Sequence, residues 1–304
     1  MSIGTSIKSL SGSGNVNLGA NTLTITNGNG TFAGVIDDAG AGGGLTLTGG
    51  TQRLTGANTY TGATNVNGGT LVVDGSILNS PTTVNAGGTL AGTGTIAGVA
   101  VNGGTLAPGS TTNPFGPMTI GGSLTFTAAS TYLVQVSSAN ASLTRVTGAA
   151  GLGGAAVSVN FTSGTIKKQY TILTAAGTLA GSTFNPNVAS NTPTLNATLS
   201  YDLNNVFLNG NVNFAQGGGL NINQQNVANT LTNFFNTTGG ISLGLRDTVA
   251  SGADHRLGRA RHRYHPVGDQ CRRPVPQPDA RPDRRRTQRR LRQGGQRRTV
   301  RRKR

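Results

Sequence analysis

The sequence predicts an all-β protein folded as a parallel β-helix, and three observations lead to this prediction. A Gly-Gly-Thr-Leu element recurs at residues 68–71, 87–90 and 103–106. Glycine supplies 48 of the 304 residues and charged residues only 11%, and no glutamate is present, a composition that disfavours long helices. Thr, Val and Asn recur between the glycines, which is typical of short strands joined by turns.

Each repeat unit predicts two inward-facing strand residues separated by a turn. In the first unit Val66 would point inward, Asn67, Gly68 and Gly69 would form the turn, and Leu71 would point inward again. Because a unit of 16 to 19 residues cannot bury its apolar face alone, we expect stacked coils with interior ladders. A Gly/Thr/Asn-rich linker is the alternative, and the regular spacing of Val and Leu argues against it. The predicted ladders are Val66, Val84 and Val101, and Leu71, Leu90 and Leu106.

The pattern divides the chain into five consecutive segments. The solenoid would begin with an irregular edge and continue through regular repeats into less regular C-terminal coils. A short helix and a disordered basic tail would follow. The segments are residues 1–30 for the edge, 31–125 for the repeats, 126–215 for the later coils, 221–236 for the helix and 246–304 for the tail.

Two elements near the end of the solenoid carry specific predictions. The segment from Tyr201 to Phe214 predicts a hairpin that turns at Asn209-Gly210, because Asn-Gly favours tight turns between strands. The segment after it has helical periodicity. Its predicted apolar face contains Val227, Leu231 and one of Phe234 and Phe235.

Part of the repeat region resembles the passenger-associated repeat of bacterial autotransporters. The similar residues are 45–50, 54–64 and 66–71, with Gly-Ala-Asn-Thr-Tyr-Thr-Gly at their centre. Asn58, Tyr60 and Gly62 belong to this central sequence. The resemblance implies a right-handed, pectin-lyase-like β-helix stalk that type V secretion displays on the surface of a Gram-negative cell.

The same resemblance implies further parts of the protein. The region from Tyr132 to Tyr201 looks like the autochaperone that assists passenger folding, and the helix looks like the start of the linker to an outer-membrane β-barrel. The first 14 residues lack the basic start and apolar core of a secretory signal, and the chain has no barrel-like series of strands. We therefore expect a passenger truncated before its barrel, with any export signal supplied upstream.

The chemistry-bearing residues argue against catalysis. The first 250 residues contain no His, Cys or Glu, which excludes a Ser-His-Asp triad and a zinc site there. We expect Asp37 and Asp38 to form a solvated turn, and Asp74 and Asp202 to be isolated. Tyr60 either binds a ligand or packs over one coil. A carbohydrate-active β-helix enzyme is the alternative, and it would need three or more Asp, Lys or Arg on one exposed face.

These observations predict a non-enzymatic adhesin or spacer. We expect no cofactor and no metal, because the residues that would hold them are missing from the repeats. The expected state is a monomer, and the expected partner is a ligand on a host or matrix surface. We expect no specific recognition of nucleic acid.

The net charge of +16 is concentrated at the C-terminus. Residues 1–245 contain five basic and four acidic residues, whereas residues 246–304 contain twenty and five, together with every His and the single Cys. This tail has three interpretations: a nonspecific binder of nucleic acid or anionic membrane, a neutral disordered tail, or GC-rich DNA translated in the wrong frame. We favour the frame error, which the nucleotide sequence around codons 245–304 would test.

Overall fold

The computed structural model describes residues 5–162, 165–192, 195–214 and 219–242. All of them lie in the first of two compact units, Met1–Arg259. They form short strands and one helix, and most of the strands pair in parallel within three sheets. This arrangement confirms the predicted all-β parallel solenoid. The basic tail lies outside the described residues.

The strands are short because a turn containing Gly or Asn interrupts the chain every few residues. In chain order they are β1 (Thr5–Ile7), β2 (Val16–Asn17), β3 (Thr22–Ile25), β4 (Thr31–Phe32), β5 (Ile36–Asp37), β6 (Gly44–Leu47), β7 (Thr51–Leu54), β8 (Thr64–Val66), β9 (Gly69–Val73), β10 (Ser76–Ile77), β11 (Thr82–Asn85), β12 (Gly88–Gly92), β13 (Thr95–Ile96), β14 (Val99–Asn102), β15 (Thr105–Pro108), β16 (Met118–Ile120), β17 (Leu124–Phe126), β18 (Thr131–Val136), β19 (Thr144–Val146), β20 (Ala150–Gly151), β21 (Ala156–Phe161), β22 (Thr165–Ile166), β23 (Gln169–Ala175), β24 (Val188–Ser190), β25 (Leu195–Tyr201), β26 (Asn205–Val212) and β27 (Ile241–Ser242).

Successive coils add strands to the same three sheets. The first sheet has eight strands in the order β1-β3-β6-β8-β11-β14-β17-β20. The second has eight in the order β4-β7-β9-β12-β15-β18-β21-β24, and the third has seven in the order β10-β13-β16-β19-β23-β26-β25. Strands β2 and β5 form a separate parallel pair. Because paired strands lie about 4.8 Å apart, consecutive coils are in direct contact.

Two interior ladders have the register that the repeat spacing predicts. Valines on three successive strands of the first sheet are Cα partners, and so are leucines on three successive strands of the second sheet. All six side chains are fully buried. Burial of one such side chain contributes about 1.5–3 kcal/mol, so every rung stabilises the contact between two coils. The residues are Val66, Val84 and Val101, and Leu71, Leu90 and Leu106.

The C-terminal end of the third sheet changes to antiparallel pairing, and the predicted hairpin turn is wrong. Strand β26 pairs antiparallel with β23 and with β25, and the chain turns between Tyr201 and Asn205. Asp202 fixes this turn, since its carboxylate accepts hydrogen bonds from the backbone N–H groups of Asn204 and Asn205 at 2.8 and 2.6 Å. Such aspartate turns compete with Asn-Gly turns, and Gly210 lies inside β26.

The helix α1 covers Ile222–Thr238, with Asn221 as its N-cap. Its predicted apolar face is partly wrong. Ala228 and Phe235 are buried, whereas Val227 and Phe234 are 57% and 53% exposed. Hydrogen bonds to the end of the solenoid fix this orientation, because Thr232 and Asn236 accept hydrogen bonds from the backbone N–H groups of Phe214 and Val212. Leu231 is partly buried against the core.

Candidate functional site

The sequence Gly-Ala-Asn-Thr-Tyr-Thr-Gly at residues 56–62 forms a corner of the solenoid between β7 and β8. We call this segment, together with Asp38 of the preceding coil, the repeat corner. It has no regular strand, and its neighbours on the two adjacent coils are β5 and β10. Side chains therefore take over contacts that strands make elsewhere in the stack.

Asn58 joins three coils through its side-chain amide. Its Oδ1 accepts a hydrogen bond from the backbone N–H of Ile36 at 3.0 Å. Its Nδ2 donates to the carbonyl oxygens of Gly56 and Ser76, both at 3.1 Å. The side chain is only 3% exposed. Through these three hydrogen bonds it satisfies buried backbone groups, as a neighbouring strand would.

Tyr60 is fully buried beneath the repeat corner. Its hydroxyl lies 2.7 Å from Thr64 Oγ1, which lies 2.7 Å from Ser80 Oγ, and this serine donates to the carbonyl of Gly62 at 2.7 Å. Burial raises the pKa of Tyr60 to about 12. This position leaves no ring surface for a ligand and favours the packing interpretation of Tyr60.

Asp38 is buried, so the expected solvated turn at Asp37-Asp38 is wrong. The Asp38 carboxylate accepts hydrogen bonds from the backbone N–H groups of Gly40 and Gly42, each at 2.9 Å. It also accepts bonds from the hydroxyl and backbone N–H of Thr61, at 2.6 and 3.0 Å. The Thr61 donors are the main cause of a lowered pKa for Asp38. Asp37 accepts a bond from Asn17 Nδ2 at 2.6 Å.

The repeat glycines permit close stacking of the coils. A Cβ atom at Gly62 would lie 2.3 Å from the carbonyl oxygen of Gly42, and one at Gly68 would lie 2.5 Å from that of Thr48. Gly69 has in addition a φ of 71°, a conformation that only glycine adopts easily.

Asn67 lies on the outer side of the same turn and stacks on the next coil. Asn85 Nδ2 donates to Asn67 Oδ1 at 2.7 Å, and Asn85 is the Cα partner of Asn102. The Asn residues of the repeat therefore line up on the surface, while Val and Leu line up inside.

Asp74 is not isolated, so the expectation for this residue is wrong. Its Oδ2 lies 2.7 Å from Nε of Arg53 in an ion pair, and its Oδ1 accepts two hydrogen bonds from Thr93. The length of the coil could have predicted this ion pair, because it makes Arg53 the register partner of Val72. Asp74, two residues beyond Val72 and just past the end of β9, lies diagonally opposite Arg53.

A row of threonines on the outward side of the second sheet was also missed. Each member is the Cα partner of the next, and no hydroxyl of the row makes a hydrogen bond within the described residues. The recurring Gly-Gly-Thr-Leu element could have predicted this row. Its Thr precedes the buried Leu, and successive residues of a strand face opposite sides of the sheet. The row consists of Thr51, Thr70, Thr89, Thr105 and Thr131.

The described residues lack two kinds of feature. Among them, no three His, Cys, Asp or Glu side chains are grouped as metal ligands. No helix in this part of the chain is long and apolar enough to cross a membrane.

Residues 45–73 match the family model described as the passenger-associated-transport-repeat. The match runs from Leu45 in β6 to Val73 at the end of β9 and includes residues 56–62 of the repeat corner, but not Asp38. No curated protein matches the chain. The matched repeat identifies this coil as an autotransporter passenger repeat, and it indicates a passenger domain of a surface-exposed protein.

Proposed function

We propose that the protein is a non-enzymatic passenger stalk at the cell surface, acting as an adhesin or a spacer. The outward threonine row supports this proposal most directly. It presents five hydroxyls at intervals of about 4.8 Å on a surface with little charge. Such a row can donate and accept hydrogen bonds along an extended ligand without any reacting group.

The positions of the carboxylates support the absence of catalysis. Asp38 and Asp202 accept hydrogen bonds that fix turns, Asp37 accepts one from Asn17, and Asp74 is paired with Arg53. A general acid or base must be free to exchange a proton with a substrate. Each acid of the described chain is instead engaged with a structural partner.

The proposal includes a monomer that needs no cofactor and no metal, with a ligand on a host or matrix surface as its partner. The outward rows are dominated by hydroxyl and amide groups rather than by charge. Recognition through them would therefore depend weakly on salt, in contrast to binding of nucleic acid, which weakens steeply as salt is added.

Binding of the full chain to an immobilised extracellular-matrix layer tests the adhesin role. Lysines placed on the threonine row should abolish binding, because they break the hydroxyl array and add charge. The same number of lysines on the outward row of the first sheet is the matched control and should preserve binding. Binding lost equally in both variants would contradict a role for the threonine row. The variants are T70K/T89K/T105K and T24K/T46K/T83K.

Incubation with polysaccharides and peptides tests the absence of catalysis. We expect no turnover by the full chain. Turnover that persists in a chain ending at residue 249 would overturn the non-enzymatic proposal, because that chain retains all the described residues. The same experiment with the R53Q variant would show whether the charged pair takes part.

A further inference from the structure

A cluster on the second sheet joins strands that are not neighbours. We call the cluster the latch. It consists of Arg53, Asp74, Thr93 and the strap, residues 109–117, which connects β15 to β16. Arg53 lies on β7, Asp74 follows β9 and Thr93 follows β12, so the latch crosses four adjacent strands of the sheet.

Direct polar contacts connect the members of the latch. Arg53 Nε lies 2.7 Å from Asp74 Oδ2 in an ion pair, and Coulomb attraction between the two charges stabilises this contact. The side chains are 26% and 11% exposed, which limits screening by salt. Asp74 Oδ1 accepts bonds from the backbone N–H and the hydroxyl of Thr93, each at 3.0 Å.

Arg53 also holds the tip of the strap. Its Nη2 donates to Thr112 Oγ1 at 3.0 Å, across 59 positions of the sequence. The other hydrogen bonds of residues 110–114 in the described structure stay within the strap. The base of the strap is fixed separately, where Gly92 and Gly109 exchange two backbone bonds of 2.8 and 2.9 Å.

We propose that the latch is a conformational device that couples the strap to the coil of Arg53, three strands away. In a solenoid each coil contacts only its neighbours, so the structural effect of a local change normally does not extend beyond the adjacent coil. Arg53 bypasses this limit because it reaches past β9 and β12 to the loop after β15. In the closed state the Arg53–Asp74 ion pair orients the guanidinium, and Thr112 of the strap is hydrogen-bonded to it. When the ion pair is broken, this hydrogen bond is lost and the strap opens.

Hydrogen exchange of the full chain tests the latch. In R53Q the backbone amides of Asn113 and Gly116 should exchange roughly tenfold faster, because the strap opens more often. R145Q is the matched control. Arg145 is an exposed arginine on β19 that makes no hydrogen bond or ion pair with another described residue, and its loss should leave these amides unchanged. Unchanged strap amides in R53Q, or equal acceleration in R145Q, would overturn the proposal.

A second variant separates the latch from general loss of structure. T112V removes one exposed hydroxyl from the strap and should accelerate exchange at Asn113 and Gly116 to a similar extent as R53Q. Coupling is reciprocal, so T112V should also accelerate exchange of the Thr93 amide. The double variant R53Q/T112V should match R53Q alone, because the hydrogen bond between Arg53 and Thr112 is lost in either single variant and cannot be lost twice. Acceleration in the double variant equal to the product of the two single effects would refute the coupling.

Discussion

The substitution Asn58→Asp would test whether a side chain replaces a strand at the repeat corner. An aspartate at this position keeps an oxygen for the backbone N–H of Ile36, but its second oxygen would face the carbonyls of Gly56 and Ser76. Those carbonyls now accept from Nδ2 at 3.1 Å. An ionised carboxylate would therefore be buried against two oxygens, while a protonated one could donate a hydrogen bond to either of them.

The structure sets the size and the pH dependence of this penalty. Protonation of the carboxyl that N58D introduces would remove this repulsion. At pH 7, protonating a carboxyl of ordinary pKa near 3.9 costs about 4 kcal/mol of free energy. We therefore expect N58D to lose up to about 4 kcal/mol at pH 7. The pKa of this carboxyl would be raised in the folded state, so the stability of N58D should fall as pH rises from about 4 towards that folded pKa.

Urea unfolding of the full chain, followed by circular dichroism from pH 4 to pH 7, measures this effect as the difference between N58D and the unsubstituted protein. N58L should lose about 1–3 kcal/mol at every pH, because it leaves the N–H of Ile36 without an acceptor, whereas the carbonyls of Gly56 and Ser76 keep backbone donors. N65D is the control, since Asn65 lies outward on β8 without a side-chain hydrogen bond to a described residue. An N58D difference that is equal at pH 4 and pH 7 would refute the reasoning.

Three further predictions follow from burial, close approach and charge. Leu90→Asp should prevent folding, as judged by circular dichroism, because it places an unpaired charge inside a ladder; L90M should cost less than about 1.5 kcal/mol, and a folded L90D would contradict the interior ladder. Gly56→Ala should cost about 1–3 kcal/mol in urea unfolding, because its Cβ would lie 1.9 Å from the carbonyl oxygen of Gly34; G14A, where a Cβ meets nothing within 4 Å, should be neutral. The lowered pKa of Asp38 means that its contribution is present above pH 4 and is lost on further acidification; D38N should therefore unfold with less dependence on pH below 4, and an unchanged acid transition would count against this role.

The interior of the stack was predictable because it depends on spacing. Leu71 and Leu90 are 19 residues apart and Leu106 follows 16 residues later, and each has the same place in its Gly-Gly-Thr-Leu element, so the three come into register. Gln52 shows the limit of this rule. It occupies the position next to Leu71 in the same column and is fully buried. Its amide bonds the backbone of Leu10 and Gly30, two partners that no repeat spacing indicates.

The end of the solenoid and the surface contacts were less predictable because they depend on competition between local signals. The Asn-Gly pair at 209–210 and the aspartate at 202 both favour turns, and the sequence alone does not rank them. The helix has two adjacent phenylalanines, and hydrogen bonds to the preceding strand decide that Phe235 is buried. The partners of Asp38 arise because Thr61 comes from the next coil, 23 positions away.

The repeat corner explains why the most distinctive motif of this sequence lies where a strand is missing. Elsewhere the third sheet continues through a hydroxyl residue and an isoleucine, as in β10 and β13, whose backbones pair directly. Between β5 and β10 the chain makes one bridge, at Ala57, and the amide of Asn58 supplies an acceptor for the Ile36 N–H and a donor for the Gly56 and Ser76 carbonyls. Tyr60 fills the interior beneath it, and Asp38 fixes the adjacent loop. The side chains of Asn58 and Tyr60 are therefore engaged in contacts between coils, whereas Thr59 is exposed. This division is consistent with the proposal that outward hydroxyls, rather than the buried residues of the motif, contact a ligand.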